Sequence, residues 1–323
     1  MRFGSAWLSG GPRAVVINDG LVHELPAELS VEALVSAGLR VALEHGAAAL
    51  AGPGVPLADV RLLTPLRPAS VRDFVTFESH VQGVRRSIER DESGVPEAWY
   101  DAPTFYFTNP HAIVGPGAEV PRPDGCRALD FELEVAAIVS GGGTSLTEAQ
   151  ARDAIFGYTL FNDFSARDLQ AREMQTGLGP AKGKDFCSSL GPWITTADEF
   201  ESHRDADGFL TLECAVSVNG VEVGRDRLDH MGWTFETMLA YASRDSLVVS
   251  GDVLASGTTG GGGCLAELWG RAGEQVPPPL EPGDTVTLTA DLLGSLTNTV
   301  VAGVPAPPLT PFRPAPSSRE RVT

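Results

Sequence analysis

Residues 130–140, with the sequence DFELEVAAIVS, constrain the fold more than any other stretch of the chain. Carboxylates and apolar side chains alternate at first, and the rest is apolar, which is typical of a β-strand entering a hydrophobic core. Alternate residues of a strand share a face, so we expect Glu132 and Glu134 to lie side by side. Two carboxylates at the entrance to a core need a compensating cation, because burying them unpaired is costly. Oxygen ligands favour Mg²⁺, Ca²⁺ or Mn²⁺ over zinc. The alternative is a solvated strand face.

Short β runs broken by glycine and proline dominate most of the chain. Asp-Gly and Asn-Gly pairs predict β-hairpins within residues 13–25 and 212–226, since these residues accept a positive φ readily. The helical spacing of apolar residues predicts helices over residues 31–50 and 233–243. Many strands with few short helices indicate an α+β, mainly β fold built on a mixed sheet.

A stretch rich in proline and glycine separates the beginning of the chain from the rest. We therefore predict a small N-terminal domain over residues 1–66, a main domain over residues 67–312 and a Pro-rich tail over residues 313–323. The first of these is too small to bury much of a core, so we expect it to dock on the main domain.

The charge balance limits the partners that the chain can have. It holds 24 lysine and arginine residues against 42 aspartate and glutamate residues, a net charge of −18, which argues against a nucleic-acid-binding protein. No apolar run approaches the ~20 residues of a membrane helix, and the N-terminal sequence lacks a signal-peptide pattern. The four cysteines are too scattered for a zinc site or a disulfide scaffold. We expect a cytoplasmic protein with no nucleic-acid or membrane partner.

A second group of polar residues lies in the sequence FNDFSARDLQ, which follows an apolar run. Asp163 stands where that strand should end, a usual place for ligand binding, and it could supply a third carboxylate. Arg167 and Gln170 are three residues apart, so they come together if a helical turn starts there. The alternative is a helix N-cap with a surface ion pair.

A candidate general base occurs in the sequence RDFVTFESH, which contains Asp73 and His80. A histidine near a carboxylate can take up a proton, because its ordinary pKa lies close to neutral pH. The alternative is a structural histidine that pairs with Glu78.

Three further features remain, and the first two could bind an anionic substrate. Lys184 could offer its charge to a substrate carboxylate or to a developing enolate, or be a solvated surface lysine. The loop over residues 257–263 is rich in glycine, so we expect it to be mobile, and its N–H groups could bind an anion. Glu267 follows this loop within an apolar stretch, which is an unusual place for a carboxylate.

Taken in order, these motifs resemble the fumarylacetoacetate hydrolase family, and the chain would be a bacterial member of it. The matching pieces span roughly residues 70–300 and are RDF…H, PTFYFTNP, LDFELEVA, FNDFSARDLQ, GKDF, ASGTTGGG and EPGD…LLGSLTN. The resemblance implies the family's mixed β-sheet roll as a catalytic domain over residues 67–312, preceded by its variable N-terminal domain. It also implies a homodimer.

The resemblance further implies a role for each motif. Four carboxylates would hold a divalent metal, Mg²⁺ or alternatively Ca²⁺ or Mn²⁺: Asp73, Glu132, Glu134 and Asp163. His80 would activate water, oriented by Glu267, while Lys184 would stabilise an enolate. The substrate would contact Arg167, Gln170, Tyr106, Thr258 and Met174.

These roles imply a metal-dependent hydrolase that cleaves a C–C bond in a 1,3-diketo acid or an acylpyruvate. Met174 and Val75 stand where the founding hydrolase has aromatic residues, and they lack hydroxyl groups, which implies a more apolar substrate than fumarylacetoacetate. The same scaffold could instead decarboxylate a 2-oxo acid, or isomerise or hydrate a 2-hydroxydienoate. Only hydrolysis strictly needs the pair of His80 and Glu267, whose presence favours it. A non-catalytic, ligand-binding relative is the last alternative.

Overall fold

The computed structural model describes residues 1–89 and 93–313, the side chains of residues 88 and 89 excepted. All of the predicted tail beyond residue 313 therefore lies outside the described residues. The strands are β1 (Arg2–Leu8), β2 (Gly11–Asn18), β3 (Leu21–Glu24), β4 (Val55–Pro56), β5 (Arg61–Leu63), β6 (Val71–Phe74), β7 (Phe105–Thr108), β8 (Ile113–Val114), β9 (Glu119–Pro121), β10 (Leu129–Asp130), β11 (Leu133–Val139), β12 (Ile155–Asp163), β13 (Ser165–Ala166), β14 (Ser188–Thr196), β15 (Glu213–Val218), β16 (Val221–Arg227), β17 (Val253–Ala255), β18 (Thr285–Ala290) and β19 (Gly294–Val301). The α-helices are α1 (Val31–Ala37), α2 (Leu39–Leu50), α3 (Glu78–Val84), α4 (Glu148–Ala154), α5 (Arg167–Met174), α6 (Phe235–Ala242) and α7 (Leu265–Ala272).

Most strands belong to one twelve-stranded sheet with the order β4-β3-β2-β1-β14-β12-β11-β17-β6-β7, in which β5 also pairs with β1 and β8 with β14. Its neighbours are antiparallel except for β17 beside β6 and β14 beside β8, which are parallel. A five-stranded sheet, β16-β15-β18-β19-β9, and the small pair β10-β13 complete the architecture. The predicted α+β, mainly β fold with a mixed sheet is confirmed.

The first strands of the chain continue the large sheet. β1 pairs with β14, where Phe3 stands opposite Ile194. Phe3 and Ile194 share a buried cluster with Leu34 of α1 and Phe161 of β12, so the two parts of the chain have apolar core in common. The domain boundary at residue 66 stays a prediction.

Glycine and its neighbours decide where several elements turn. Asp19 and Gly20 adopt φ values of 47° and 75° between β2 and β3, as the predicted hairpin requires. The prediction of one helix over residues 31–50 is wrong, because two helices occupy this range. Gly38 separates them with a φ of 90°, and its N–H group closes α1.

Three strands of the large sheet bring their polar residues to the same edge. Leu133 at the start of β11 lies opposite Asn162 near the end of β12, and Asp73 of β6 lies opposite Ala255 of β17. Every residue of β6, β11 and β12 is buried, so carboxylates at this edge face a protein interior. Among the described residues, no helix combines the length and the apolar character that crossing a membrane requires.

Candidate metal centre and active site

Three carboxylates converge at this edge of the sheet. Asp73, Glu132 and Glu134 each place an oxygen within 4.8 Å of the others, and these residues are only 2%, 4% and 0% exposed. Glu134 lies in β11, whereas Glu132 is the residue directly before this strand, which begins at Leu133. The expectation that the two glutamates lie together in a core is nevertheless met, and the solvated strand face is excluded.

Glu134 shows that this group fits a cation. Its Oε2 accepts a hydrogen bond from the Gly257 N–H group at 3.1 Å, whereas its buried Oε1 has no hydrogen-bond partner in the part of the chain that the structure describes. Burial and the neighbouring Asp73 raise the pKa of Glu134 well above its usual range, and burial and Asp163 do the same for the pKa of Asp73. An all-oxygen donor set in which Asp73 and Glu134 have no ion pair among the described residues is suited to a hard divalent cation.

Asp163, the fourth predicted ligand, lies beside these three carboxylates. Its Oδ1 accepts from the Ser188 hydroxyl at 2.9 Å, and its Oδ2 is 2.8 Å from Lys184 Nζ. The Tyr106 hydroxyl contacts Asp163 Oδ2 and also lies 2.9 Å from Asp73 Oδ2. Tyr106, predicted to contact substrate, therefore connects Asp163 to the three-carboxylate group in this structure.

Two buried cations hold Glu132. Lys184 Nζ lies 2.5 Å from Glu132 Oε2, and the Arg167 guanidinium donates to Glu132 Oε1 at 2.8 Å. Burial alone would raise the pKa of Glu132, but Lys184 and Arg167 lower it to about 2. Arg167 also donates to Gln170 at 3.0 Å, so the predicted helical turn brings them together. Lys184 is only 3% exposed, which excludes a solvated surface lysine.

Asp130 is a site residue that the sequence reasoning missed. Its carboxylate accepts from Arg167 Nε at 2.8 Å and from the N–H groups of Leu265 and Ala266 at 2.7 and 3.0 Å. Asp130 thus fixes Arg167 and the first turn of α7 in one arrangement, using the favourable position of a carboxylate at a helix N-terminus. A further carboxylate two residues before Glu132 was the signal that could have revealed it.

His80 and Glu267 lie on α3 and α7, and both are buried. Burial lowers the pKa of His80 to about 4, so its imidazole is neutral at neutral pH. Its Nδ1 lies 3.7 Å from Cys264 Sγ, a partner that the scattered cysteines did not predict. Glu267 Oε1 pairs with Arg271. Within the described residues, His80 and Glu267 share no hydrogen bond.

A cleft of about 650 Å³ opens onto these groups. The predicted site residues that line it are Asp73, His80, Tyr106, Glu132, Glu134, Arg167, Gln170, Met174, Lys184 and Thr258; Asp163 and Glu267 do not. Thr258 belongs to the glycine-rich loop, where residues 257–260 are buried. A Cβ atom on Gly257, whose φ is 79°, would collide with the Phe74 carbonyl. This part of the loop is therefore closely packed, contrary to the expected mobile loop.

Known proteins share both this sequence pattern and this fold. A family model described as fumarylacetoacetate (FAA) hydrolase C-terminal matches residues 69–301. Fumarylacetoacetase from Oryza sativa subsp. japonica is 29% identical, over 73% of this chain and 67% of its own length. The solved fumarylacetoacetate hydrolase from psychrophilic Exiguobacterium antarcticum is 26% identical with a TM-score of 0.72, covering 94% of this chain and 99% of its own. The solved 5-carboxymethyl-2-hydroxymuconate delta-isomerase from Mycobacterium smegmatis is 27% identical with a TM-score of 0.67, covering 94% and 100%.

The chain spans between 58% and 67% of the length of the plant and slime-mould fumarylacetoacetases that it matches. The solved hydrolase and the solved isomerase are similar to this chain at nearly the same sequence identity, 26% and 27%.

Proposed function

Because the chain belongs to the fumarylacetoacetate hydrolase family, we propose that it is a divalent-metal-dependent hydrolase that cleaves a C–C bond in a 1,3-diketo acid of the acylpyruvate type. The family resemblance inferred from the motifs is confirmed, and the enzymes of this family act on small molecules. The observation that carries the proposal is the group of three buried carboxylates beside a buried lysine, in a cleft large enough for such a substrate.

The charged wall of the cleft binds the keto-acid end of the substrate. A divalent cation held by Asp73, Glu132 and Glu134, with Asp163 beside them, would supply Lewis-acid polarisation of the substrate oxygens. Burial alone would lower the pKa of Lys184, but Asp163 and Glu132 raise it, so its ammonium group stays charged. That charge stabilises the negative oxygen that develops as the C–C bond breaks.

His80 accepts the proton from the attacking water. Its Nδ1 faces Cys264, which leaves Nε2 as the nitrogen for this transfer. The water oxygen bonds to the acyl carbonyl carbon, and a water proton moves to His80. The C–C bond then breaks with its electron pair passing to the enolate of pyruvate. The enolate takes up a proton to give pyruvate, and the acyl group leaves as a carboxylic acid.

A second candidate uses the same site for isomerisation of a 2-hydroxydienoate or for decarboxylation of a 2-oxo acid. It is favoured by one observation: Glu267 pairs with Arg271 while His80 contacts Cys264, so the pair that would activate water is not joined. Both alternative reactions pass through an enolate that Lys184 stabilises, and neither needs an activated water.

A spectrophotometric assay on metal-stripped protein separates the two candidates. We would follow the loss of enol absorbance from acylpyruvates and, in parallel, pyruvate formation from oxaloacetate, with and without Mg²⁺ or Mn²⁺. The proposal predicts metal-dependent cleavage of the diketone that is lost in His80→Ala and retained in His111→Ala, an exposed histidine that does not line the cleft. Decarboxylation that survives His80→Ala, with acylpyruvates untouched, would move the protein to the second candidate.

The identity of the metal, the homodimer and the cytoplasmic location stay predictions. Size-exclusion chromatography with light scattering tests the dimer, and metal analysis of protein purified without added salts tests the metal.

A further inference from the structure

The wall of the cleft beyond the charged groups is apolar. It is formed by Val75, which follows β6, by Trp99 and Phe105, and by Met174 and Leu178 at and after the end of α5. These side chains come from separate segments of the chain, so the apolar surface is produced by the tertiary fold.

The polar atoms of this wall already have partners within the protein. Trp99 Nε1 donates to the Val75 carbonyl at 2.7 Å, so the indole presents only its ring to the cleft. The Arg85 guanidinium, which also lines the cleft, donates to the Gly94 carbonyl at 2.5 Å and lies 3.4 Å from the Ser93 hydroxyl. A charged group placed against this wall would lose its hydration. The nearby cation, Arg85, is already hydrogen-bonded within the protein and would compensate that loss poorly.

The aromatic part of the wall is packed against neighbouring rings. The Trp99 ring packs edge-on against Trp233 and Tyr100, with ring centroids 4.8 and 4.9 Å apart. At the same cleft, Leu178 is 87% exposed. A single exposed leucine is common on protein surfaces and does not by itself indicate a binding site. A leucine that lines a cleft, however, becomes buried when an apolar ligand binds beside it.

We propose that this wall binds the acyl group of the substrate and selects an apolar alkyl or aryl chain against one that ends in a second carboxylate. The inference rests on the proposed function. The keto-acid end of the substrate must be held at Asp73, Glu132 and Glu134 for the acyl tail to reach this wall. Each methylene buried there is expected to improve binding about fourfold, until the wall is covered.

Binding of two 2-oxo acids of equal chain length tests this proposal without requiring turnover. Calorimetry in the presence of Mg²⁺ would compare 2-oxooctanoate with 2-oxooctanedioate. We expect the monoacid to bind at least tenfold more tightly. Leu178→Lys should reduce that ratio at least threefold, because its ammonium group would attract the second carboxylate of the diacid, and Trp99→Ala should reduce it as well. Trp7→Ala is the matched control, because Trp7 is a 51% exposed tryptophan on β1 that does not line the cleft.

The possible results separate this proposal from the function on which it rests. If both acids bind and the diacid is as tight as the monoacid, the apolar subsite is refuted while the proposed function stands. A preference for the monoacid that Leu178→Lys and Trp99→Ala leave unchanged refutes the assignment of this wall. If neither acid binds with Mg²⁺ or Mn²⁺, the proposed function fails and this inference fails with it. Leu178→Lys changes an exposed side chain, so the test does not depend on the folding of Trp99→Ala.

Discussion

Replacing Glu132 and Glu134 separately by glutamine is expected to change the stability of the metal-free protein in opposite directions, although the two residues belong to one motif. As a carboxylate, Glu134 is buried and repelled by Asp73 and Glu132, and among the described residues its Oε1 has no hydrogen-bond partner. Glutamine avoids the cost of either charging or protonating this buried group, and it retains an oxygen for the Gly257 N–H group. Glu132 instead pairs with Lys184 and Arg167. Glutamine is neutral, so it removes one of the negative charges that balance these two cations.

The magnitudes follow from burial, since both side chains are almost fully inaccessible. Glu134→Gln should raise the free energy of unfolding by about 1–2 kcal/mol, the usual cost of an unsatisfied buried polar group. Glu132→Gln should lower it by about 3 kcal/mol, the lower end of the cost of breaking a buried ion pair, because the amide still accepts one hydrogen bond.

Urea unfolding at pH 7.5, first with EDTA and then with Mg²⁺, measures both effects. Wild-type protein should gain about 2.7 kcal/mol when free Mg²⁺ reaches 100 times its dissociation constant, and both variants should lose most of that gain. Glu119→Gln, at an exposed glutamate of β9, should change stability by less than about 0.5 kcal/mol in either buffer. Changes of the same sign for the two site variants in EDTA would refute the electrostatic reasoning.

Three further predictions concern the same site. The metal-free protein should lose stability as the pH rises above about 4, because burial raises the pKa of Asp73 and Glu134 and the folded state then binds more protons than the unfolded chain. The loss is about 1.4 kcal/mol per pH unit for each group that stays protonated, and urea unfolding between pH 5 and 8 should show it with EDTA but not with Mg²⁺. Asp130→Asn should destabilise the fold by about 2–4 kcal/mol in the same assay, because it weakens the links to Arg167 and to α7. Lys184→Met should lower kcat about 100-fold or more in steady-state assays while Lys182→Met, at a 74% exposed neighbour, leaves kcat unchanged.

Local patterns predicted the elements that carry the site better than they predicted the partners within it. Alternation along a strand placed Glu132 and Glu134 together, and helical spacing placed Arg167 against Gln170, because both relations depend only on nearby backbone geometry. The contact of His80 with Cys264 depends on how α3 packs against α7, and these residues are 184 positions apart. No local signal specifies such a contact.

Long-range pairing also decided the features of the fold that the sequence left open. The β1–β14 ladder joins residues nearly two hundred positions apart, and neither strand alone indicates its partner. The break at Gly38 was within reach of the sequence, because glycine inside a helical pattern signals a possible end, but apolar spacing on both sides concealed it. Asp163 matched the expected edge of the sheet, whereas its contacts with Lys184 and Tyr106 required side-chain packing to be known.

Analysis of the reaction products tests directly whether the protein hydrolyses a C–C bond of an acylpyruvate. Metal-stripped protein would be incubated with hexanoylpyruvate, with and without Mg²⁺, and the products would be quantified by nuclear magnetic resonance. We expect pyruvate and hexanoate in equal amounts, formed only with the metal and absent in His80→Ala. Release of carbon dioxide, or a rearranged product that keeps the whole carbon skeleton, would contradict it.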